Sequence, residues 1–359
     1  MKATVVDLFC GVGGLTHGLQ LAGLNVVAGI DIDATCKYSY EENNNAVFIE
    51  SDVAKIPSQT IAQYYGNKDI RILVGCAPCQ PFSKYTKRYR KEELEKGRQG
   101  DSWQKDKKWK LLYSFAQKIK DIEPDIVSME NVPELEKEKV FRDFLTMLKR
   151  LDYYVSYCIA YCPNYGVPQS RKRLVLLASK LGNITFIKPK FTSENYKTVR
   201  QAIGNLPSLN DGERSLDDTL HFCAKLSTLN IKRIKKSKQG GTWRDWGKSL
   251  QLRCHKRKTG KSYGSVYGRM SWDKPSPTIT TQFYGYGNGR FGHPEQNRAL
   301  SLREGAILQS FPPNYKLIPK NIKIQARELG IHIGNAVPVE LGRAIGTSIL
   351  NHIKEVKGK

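Results

Sequence analysis

The segment Pro78-Cys79-Gln80 follows the apolar run Ile72-Leu73-Val74-Gly75, which sets Cys79 in a turn at a strand end. A thiol is an intrinsically strong nucleophile even at the small thiolate fraction present at neutral pH. An inert buried cysteine is the ordinary alternative, and the prolines at 78 and 81 that fix the turn weigh against it. Glu130, in Met129-Glu130-Asn131-Val132, comes directly after the strand-like run 125–129. A carboxyl at a strand end facing a pocket can hold or share a proton, although a capping or salt-bridged glutamate gives the same pattern. Arg171 and Arg173 lie two apart in an extended segment and are expected to point the same way. Two such guanidinium forks suit a carboxylate, a phosphate or a base carbonyl, a solvated strand edge being the alternative. Glycines at 11, 13 and 14 separate a strand from a helix, where a cofactor can approach the backbone and meet unpaired N–H groups. Asp31, at the end of the next strand, suits ribose hydroxyls, and Asp52, at a third strand end, could reach an adenine amino group. This pattern fits NAD, FAD or S-adenosylmethionine. Its departure from G-x-G-x-x-G tilts it away from dinucleotides.

These residues need a frame, and the periodicity supplies one. Strands are expected at 3–9, 26–30, 47–49, 70–75, 125–129, 153–161 and 173–178. Helices are expected at about 15–22, 34–43, 108–122, 140–151 and 338–353. Such alternation implies an α/β fold with a doubly wound, mostly parallel sheet, whose ligands sit at the C-terminal strand ends. The distinctive residues all fall at those ends. From about 186 to 268 the alternation is lost and Gly, Pro, Ser and Asn clusters recur, as in a second, smaller and irregular domain. One further helix is expected at 301–309, capped by Ser301 with Glu304 three residues on. The expected division is 1–185 plus 325–359 for the catalytic domain and 186–324 for the second domain and hinge.

Composition points to the partner. Lys and Arg number 58 against 34 Asp and Glu, a net charge of +24, which favours a polyanion through counterion release. Residues 225–261 hold thirteen Lys or Arg and one acid, with Trp243, Trp246, Tyr263 and Tyr267 in or beside them, so this stretch reads as a nucleic-acid surface. No apolar run approaches the roughly 18 residues of a membrane span. The N-terminus enters a strand-like run without a signal-peptide core. The eight cysteines are scattered, as suits free thiols in a reducing cytoplasm. Cys76 and Cys79 form a CxxC, but no second pair follows at zinc-ribbon spacing and Pro78 sits inside it, so no metal site is expected.

Taken in order, the motifs closely resemble the cytosine-5 DNA methyltransferase family. They are Phe9–Gly13, Asp31, Asp52, Pro78-Cys79-Gln80, Glu130-Asn131-Val132, Gln169-x-Arg171-x-Arg173, the run Arg269 to Thr281, Arg303-Glu304 with Gln309-Ser310-Phe311-Pro312, and Gly334-Asn335-Ala336-Val337-Pro338. The resemblance covers about 1–180 and 265–345. Ala77 stands where many members carry a second proline, and Asp31 where many carry Glu.

The resemblance implies a Rossmann-like S-adenosylmethionine-dependent methyltransferase fold with a target-recognition domain, and methyl transfer to carbon 5 of cytosine in a specific duplex sequence. It makes Cys79 the nucleophile, with Glu130, Arg171 and Arg173 handling the base. It gives the cofactor to Phe9, Gly11, Gly13, Gly14, Leu15, Asp31, Ile32, Asp52, Val53, Pro78, Leu111, Asn335, Ala336 and Val337. It gives DNA contacts to Gln80, Ser83 and Arg269. Residues 84–110, with eleven Lys or Arg and five acids, are expected to form a loop that closes over the DNA. A monomer in the bacterial cytoplasm, acting beside a cognate restriction endonuclease without touching it, is the implied setting. The rivals are a tRNA cytosine-5 methyltransferase on the same fold, a non-catalytic DNA-binding homologue, and a dinucleotide oxidoreductase. The last is disfavoured by the glycine spacing.

Overall fold

The computed structural model describes residues 3–67, 70–78, 107–257, 260 and 264–358. Cys79, Gln80, Ser83, Tyr263 and residues 84–106 of the expected loop lie outside the described residues. The chain divides into two compact units. The first comprises Met1–Tyr161, Lys172–Pro189 and Val339–Lys359, and the second Cys162–Arg171 and Lys190–Pro338. Residues 325–338 and the short segment Cys162–Arg171 therefore fall in the second unit.

The first unit is built on a seven-stranded sheet. Its early strands are β1 (Ala3–Leu8), β2 (Asn25–Asp31), β3 (Val47–Glu50), β4 (Ile70–Gly75) and β5 (Ile126–Asn131). The run Thr4–Leu8 is wholly buried, apolar but for Thr4 and Asp7, as expected of a strand covered on both faces. Further on come β6 (Tyr154–Tyr161), β7 (Gln169–Ser170) and β8 (Lys172–Ser179). The order is β3-β2-β1-β4-β5-β8-β6. β1 to β5 run parallel, and β8 lies antiparallel to both β5 and β6. The order reverses between β1 and β4, which places the ligand crevice outside their C-terminal ends.

Helices cover the sheet: α1 (Gly14–Leu21), α2 (Lys37–Asn43), α3 (Ser58–Ala62), α4 (Leu111–Ile122) and α5 (Lys139–Arg150). α4 buries Leu112, Phe115, Ile119 and Ile122, and α5 buries Val140, Phe141, Phe144 and Leu148, each an apolar stripe at helical spacing. Phe115 and Phe144 join the two stripes, their ring centroids 5.8 Å apart. The C-terminal helix Val339–Lys357 returns to this unit and packs on α1. The approach is so close that a Cβ on Gly18 would stand 2.3 Å from the Val339 carbonyl oxygen. Among the described residues no helix is long and apolar enough to cross a membrane.

The second unit has short elements: α6 (Val199–Ile203), α7 (Thr228–Lys236), α8 (Arg253–Lys256), α9 (Leu302–Leu308), α10 (Ala326–Asn335) and a two-residue parallel pairing of β7 with β9 (Ser276–Pro277). Ser301 caps α9 in a capping box with Glu304, as the sequence spacing predicts. Glu304 is buried and takes a two-pronged ion pair from Arg298, at 2.7 and 2.9 Å.

Candidate active site

The chain leaves β1 through a left-handed turn. Phe9, Gly11 and Gly13 have φ of 60°, 51° and 87°. Gly13 caps α1, and the non-glycine Phe9 stores backbone strain of about 1–3 kcal/mol, the kind found at ligand clamps. Neighbouring strands hold the turn in place: Cys10 N–H donates to Ile30 O at 3.1 Å, and Cys76 N–H to Leu8 O at 3.3 Å. Asp31, at the end of β2, accepts from Gly11 N–H at 2.8 Å and from Asp33 N–H at 3.0 Å. Burial pushes its carboxyl above the usual range. A Cβ on Gly11 would meet nothing within 4 Å, so this backbone faces open space. An open glycine turn at a helix N-terminus, bordered by a carboxylate, fits an adenosyl cofactor with ribose hydroxyls and a polar tail.

Of the other residues expected at the cofactor, Leu15 and Val53 are buried, Ile32 is exposed, and Asp52, Pro78 and Leu111 are half-buried. Asp52 accepts from Ala54 N–H at 2.9 Å. Asn335, Ala336 and Val337 belong to the second unit, at the end of α10. A cleft of about 400 Å³ opens beside Ala54, Trp109 and Tyr113, and none of the expected cofactor residues lines it. Asp7 carries no signal of its role in residue type or spacing. It is fully buried beneath the turn, with Oδ2 accepting from the Thr16 hydroxyl at 2.7 Å and Oδ1 unpartnered among the described residues. Burial, with Asp31's charge adding to it, pushes the Asp7 carboxyl up to about 7.

A second group of residues gathers where β4, β5 and β8 meet. The register Gly75↔Met129 carries on past the end of β4, where Asn131 Nδ2 donates to Ala77 O at 3.0 Å. Glu130 and Asn131 lie within β5 rather than after it, because β8 pairs with them through Val175 and Leu174. Glu130 is buried, and its Oε1 lies 2.8 Å from Arg173 Nε. The N–H is not aligned on that oxygen, so charge rather than a directed hydrogen bond carries the contact. Oε2 accepts from the Cys76 thiol at 2.8 Å. Cys76 looks incidental in the sequence. The signal that finds it is the parallel register, which sets residue 76 beside residue 130.

Arg171 does not share this arrangement. It is buried in the second unit and donates to Ile279 O at 3.0 Å and Gly334 O at 3.1 Å. The same-face expectation for Arg171 and Arg173 fails because the chain changes sheets between β7 and β8. Gln169 is likewise an internal tie, bonded to Leu308 O, Gln309 Oε1 and Ile279 N. Arg269, expected at DNA, is also corrected. It is buried, and its guanidinium donates to the carbonyls of Ile234, Ser237, His293 and Gln296.

The basic stretch of the second unit separates into core and surface. Trp243 and Trp246 are buried with Ile234 and Tyr286, and Trp243 stacks on His255 at 4.3 Å. The expectation that these tryptophans offer a nucleic-acid surface is therefore corrected: they form a small core. Lys232, Lys235, Lys236, Arg244, Lys248 and Arg253 around them are exposed.

A family model described as C-5 cytosine-specific DNA methylase matches residues 3–351. The chain is 51% identical to the Type II methylase M.HgiDII of Herpetosiphon aurantiacus, over 97% of this chain and 95% of that protein. It is 31% identical to the Type II methyltransferase M1.HphI of Haemophilus parahaemolyticus, over 98% and 87%. Among solved structures, the methyltransferase EhMeth of Entamoeba histolytica superposes with a TM-score of 0.66 at 15% identity, covering 98% of this chain and 99% of that one. That likeness concerns the fold alone.

Proposed function

The chain belongs to the C-5 cytosine-specific DNA methylase family, and from that membership we propose that it methylates carbon 5 of a cytosine within a specific duplex DNA sequence, as the modification enzyme of a restriction–modification system. The methyl group comes from S-adenosylmethionine, whose sulfonium supplies an activated one-carbon electrophile. The observation that carries the chemistry is the buried Glu130–Arg173 pair at the C-terminal edge of the sheet, beside the segment that leads into Cys79.

Carbon 5 of cytosine is too weak a nucleophile to be methylated unaided. The Cys79 thiolate adds to carbon 6, and the electron pair released makes carbon 5 enamine-like. Glu130 holds a proton at N3, which offsets the charge that builds in the ring. Arg173 meets the base O2 and orients Glu130, and the Pro78 carbonyl accepts from the exocyclic amine. After methyl transfer the carbon 5 proton leaves and the ring expels Cys79. Arg171 takes no contact with the base in this scheme. Its bonds to Ile279 and Gly334 tie the second unit together. Phe9 would pack on the adenine, Asp31 would hold the ribose and Asp52 the adenine amine, with Leu111 beside them. The target base must leave the stack, at a few kcal/mol, and the exposed cations of the second unit supply backbone attraction toward that end.

Bisulfite sequencing of DNA from cells expressing the wild type or Cys79→Ser tests this. Methylated cytosine at one recurring sequence with the wild type, and none with the variant, is expected. DNA without signal in either case, together with methylated tRNA, favours the rival substrate instead.

A further inference from the structure

The Glu130 carboxyl has two oxygens, and the proposed chemistry accounts for only part of what surrounds them. Arg173 stands at Oε1, while Oε2 is held by the Cys76 thiol. We propose that Cys76 is a positioning residue for Glu130, its thiol holding the oxygen that Arg173 leaves untouched and so fixing the carboxyl in the orientation that meets the base. This rests on the reading of Glu130 given above.

Three observations carry it. The backbone around Cys76 is pinned on two sides: its own N–H bonds to Leu8 O, and the next residue's carbonyl accepts from Asn131 Nδ2. The parallel register Gly75↔Met129 puts residues 76 and 130 side by side, with their side chains on one face of the sheet. Glu130 is buried, and a buried carboxylate oxygen left without a donor costs about 1–3 kcal/mol or more. A thiol suits this post because it is a weak donor. It holds Oε2 and leaves the proton that Glu130 presents to N3 to the other oxygen. Arg173 meets Glu130 at Oε1 through charge, its Nε–H not aligned on that oxygen, so a second contact at Oε2 completes the orientation.

Two measurements decide the matter, and only one depends on catalysis. In steady-state methylation of duplex DNA, Cys76→Ala is expected to lose about ten-fold in kcat, the size of one weak hydrogen bond to a charged group. Cys76→Ser, which restores a donor, should recover the rate. An unchanged kcat in Cys76→Ala overturns the inference while leaving the methylase reading intact. The second measurement is the rate at which iodoacetamide alkylates Cys76, followed peptide by peptide by mass spectrometry. A carboxylate at 2.8 Å opposes thiolate formation, so Glu130→Gln should be alkylated several-fold faster than wild type near neutral pH. Equal rates overturn the inference even in a chain that methylates nothing.

Discussion

Asp7 shows how much one buried oxygen can matter. With its carboxyl pushed from 3.8 to about 7 by burial, the folded chain holds a proton between those values that the unfolded chain has released. Stability should therefore fall as pH rises from about 4 to about 7, the reverse of the usual salt-bridged carboxylate. Asp7→Asn removes the titration, so its urea midpoint should lack this downward slope and exceed the wild-type midpoint most at pH 8. Parallel slopes in the two proteins would discard the assignment. Glu130 and Arg173 come together as their strand-end positions suggest, because both belong to neighbouring strands of one sheet. Arg171 was misread because spacing of two guarantees a shared face only while the chain stays in one sheet, and here it leaves β7 for β8. Arg269, Trp243 and Trp246 misled for a related reason: a charge or ring type does not say which way it faces, and all three are turned inward.

At the level of elements, the strands and long helices of the first unit were legible because their packing is written as period. Unbroken apolar runs such as Val5-Val6 and Ile72-Leu73-Val74 mark strands covered on both faces, and the stripe of α4 marks a helix on a sheet. Helices α3 and α8, of five and four residues, had no such signature, since too few turns exist to show a repeat. The tightest joint is also invisible to period. On α1, a Cβ at residue 18 would approach Val339 O at 2.3 Å and Arg343 N at 2.6 Å, both backbone atoms of the C-terminal helix. Gly18→Ala must push the two helices apart and is expected to cost about 3 kcal/mol, against the small gain alanine normally brings to a helix. A denaturant midpoint at or above that of wild type would show that the joint has slack.

For the whole molecule, the excess of positive charge and the two-unit division set the behaviour. The units carry opposite titrations. In the second unit His293 is buried, its Nδ1 accepts from Glu295 and Gln296 N–H at 3.2 and 2.9 Å, and burial pushes its pKa down to about 4 against the pull of Glu304. Its unfolded form takes up a proton near 6.5, so this unit should lose stability as pH falls from about 6.5 to about 4, the window in which Asp7 makes the first unit more stable. Calorimetry across that window should show the two transitions changing their separation, with His293→Gln removing the second unit's share. A single transition of constant shape, identical in the variant, would refute the pairing. The C-terminal helix has one more implication, for how the protein is made. The surface of α1 that receives it is synthesised almost at once, yet its cover emerges only after all of residues 22–338. At ribosomal rates of about 5–20 residues per second that is a wait of tens of seconds, roughly 15–60, during which the nascent sheet stands with one flank bare and waits on a chaperone or on its own later sequence.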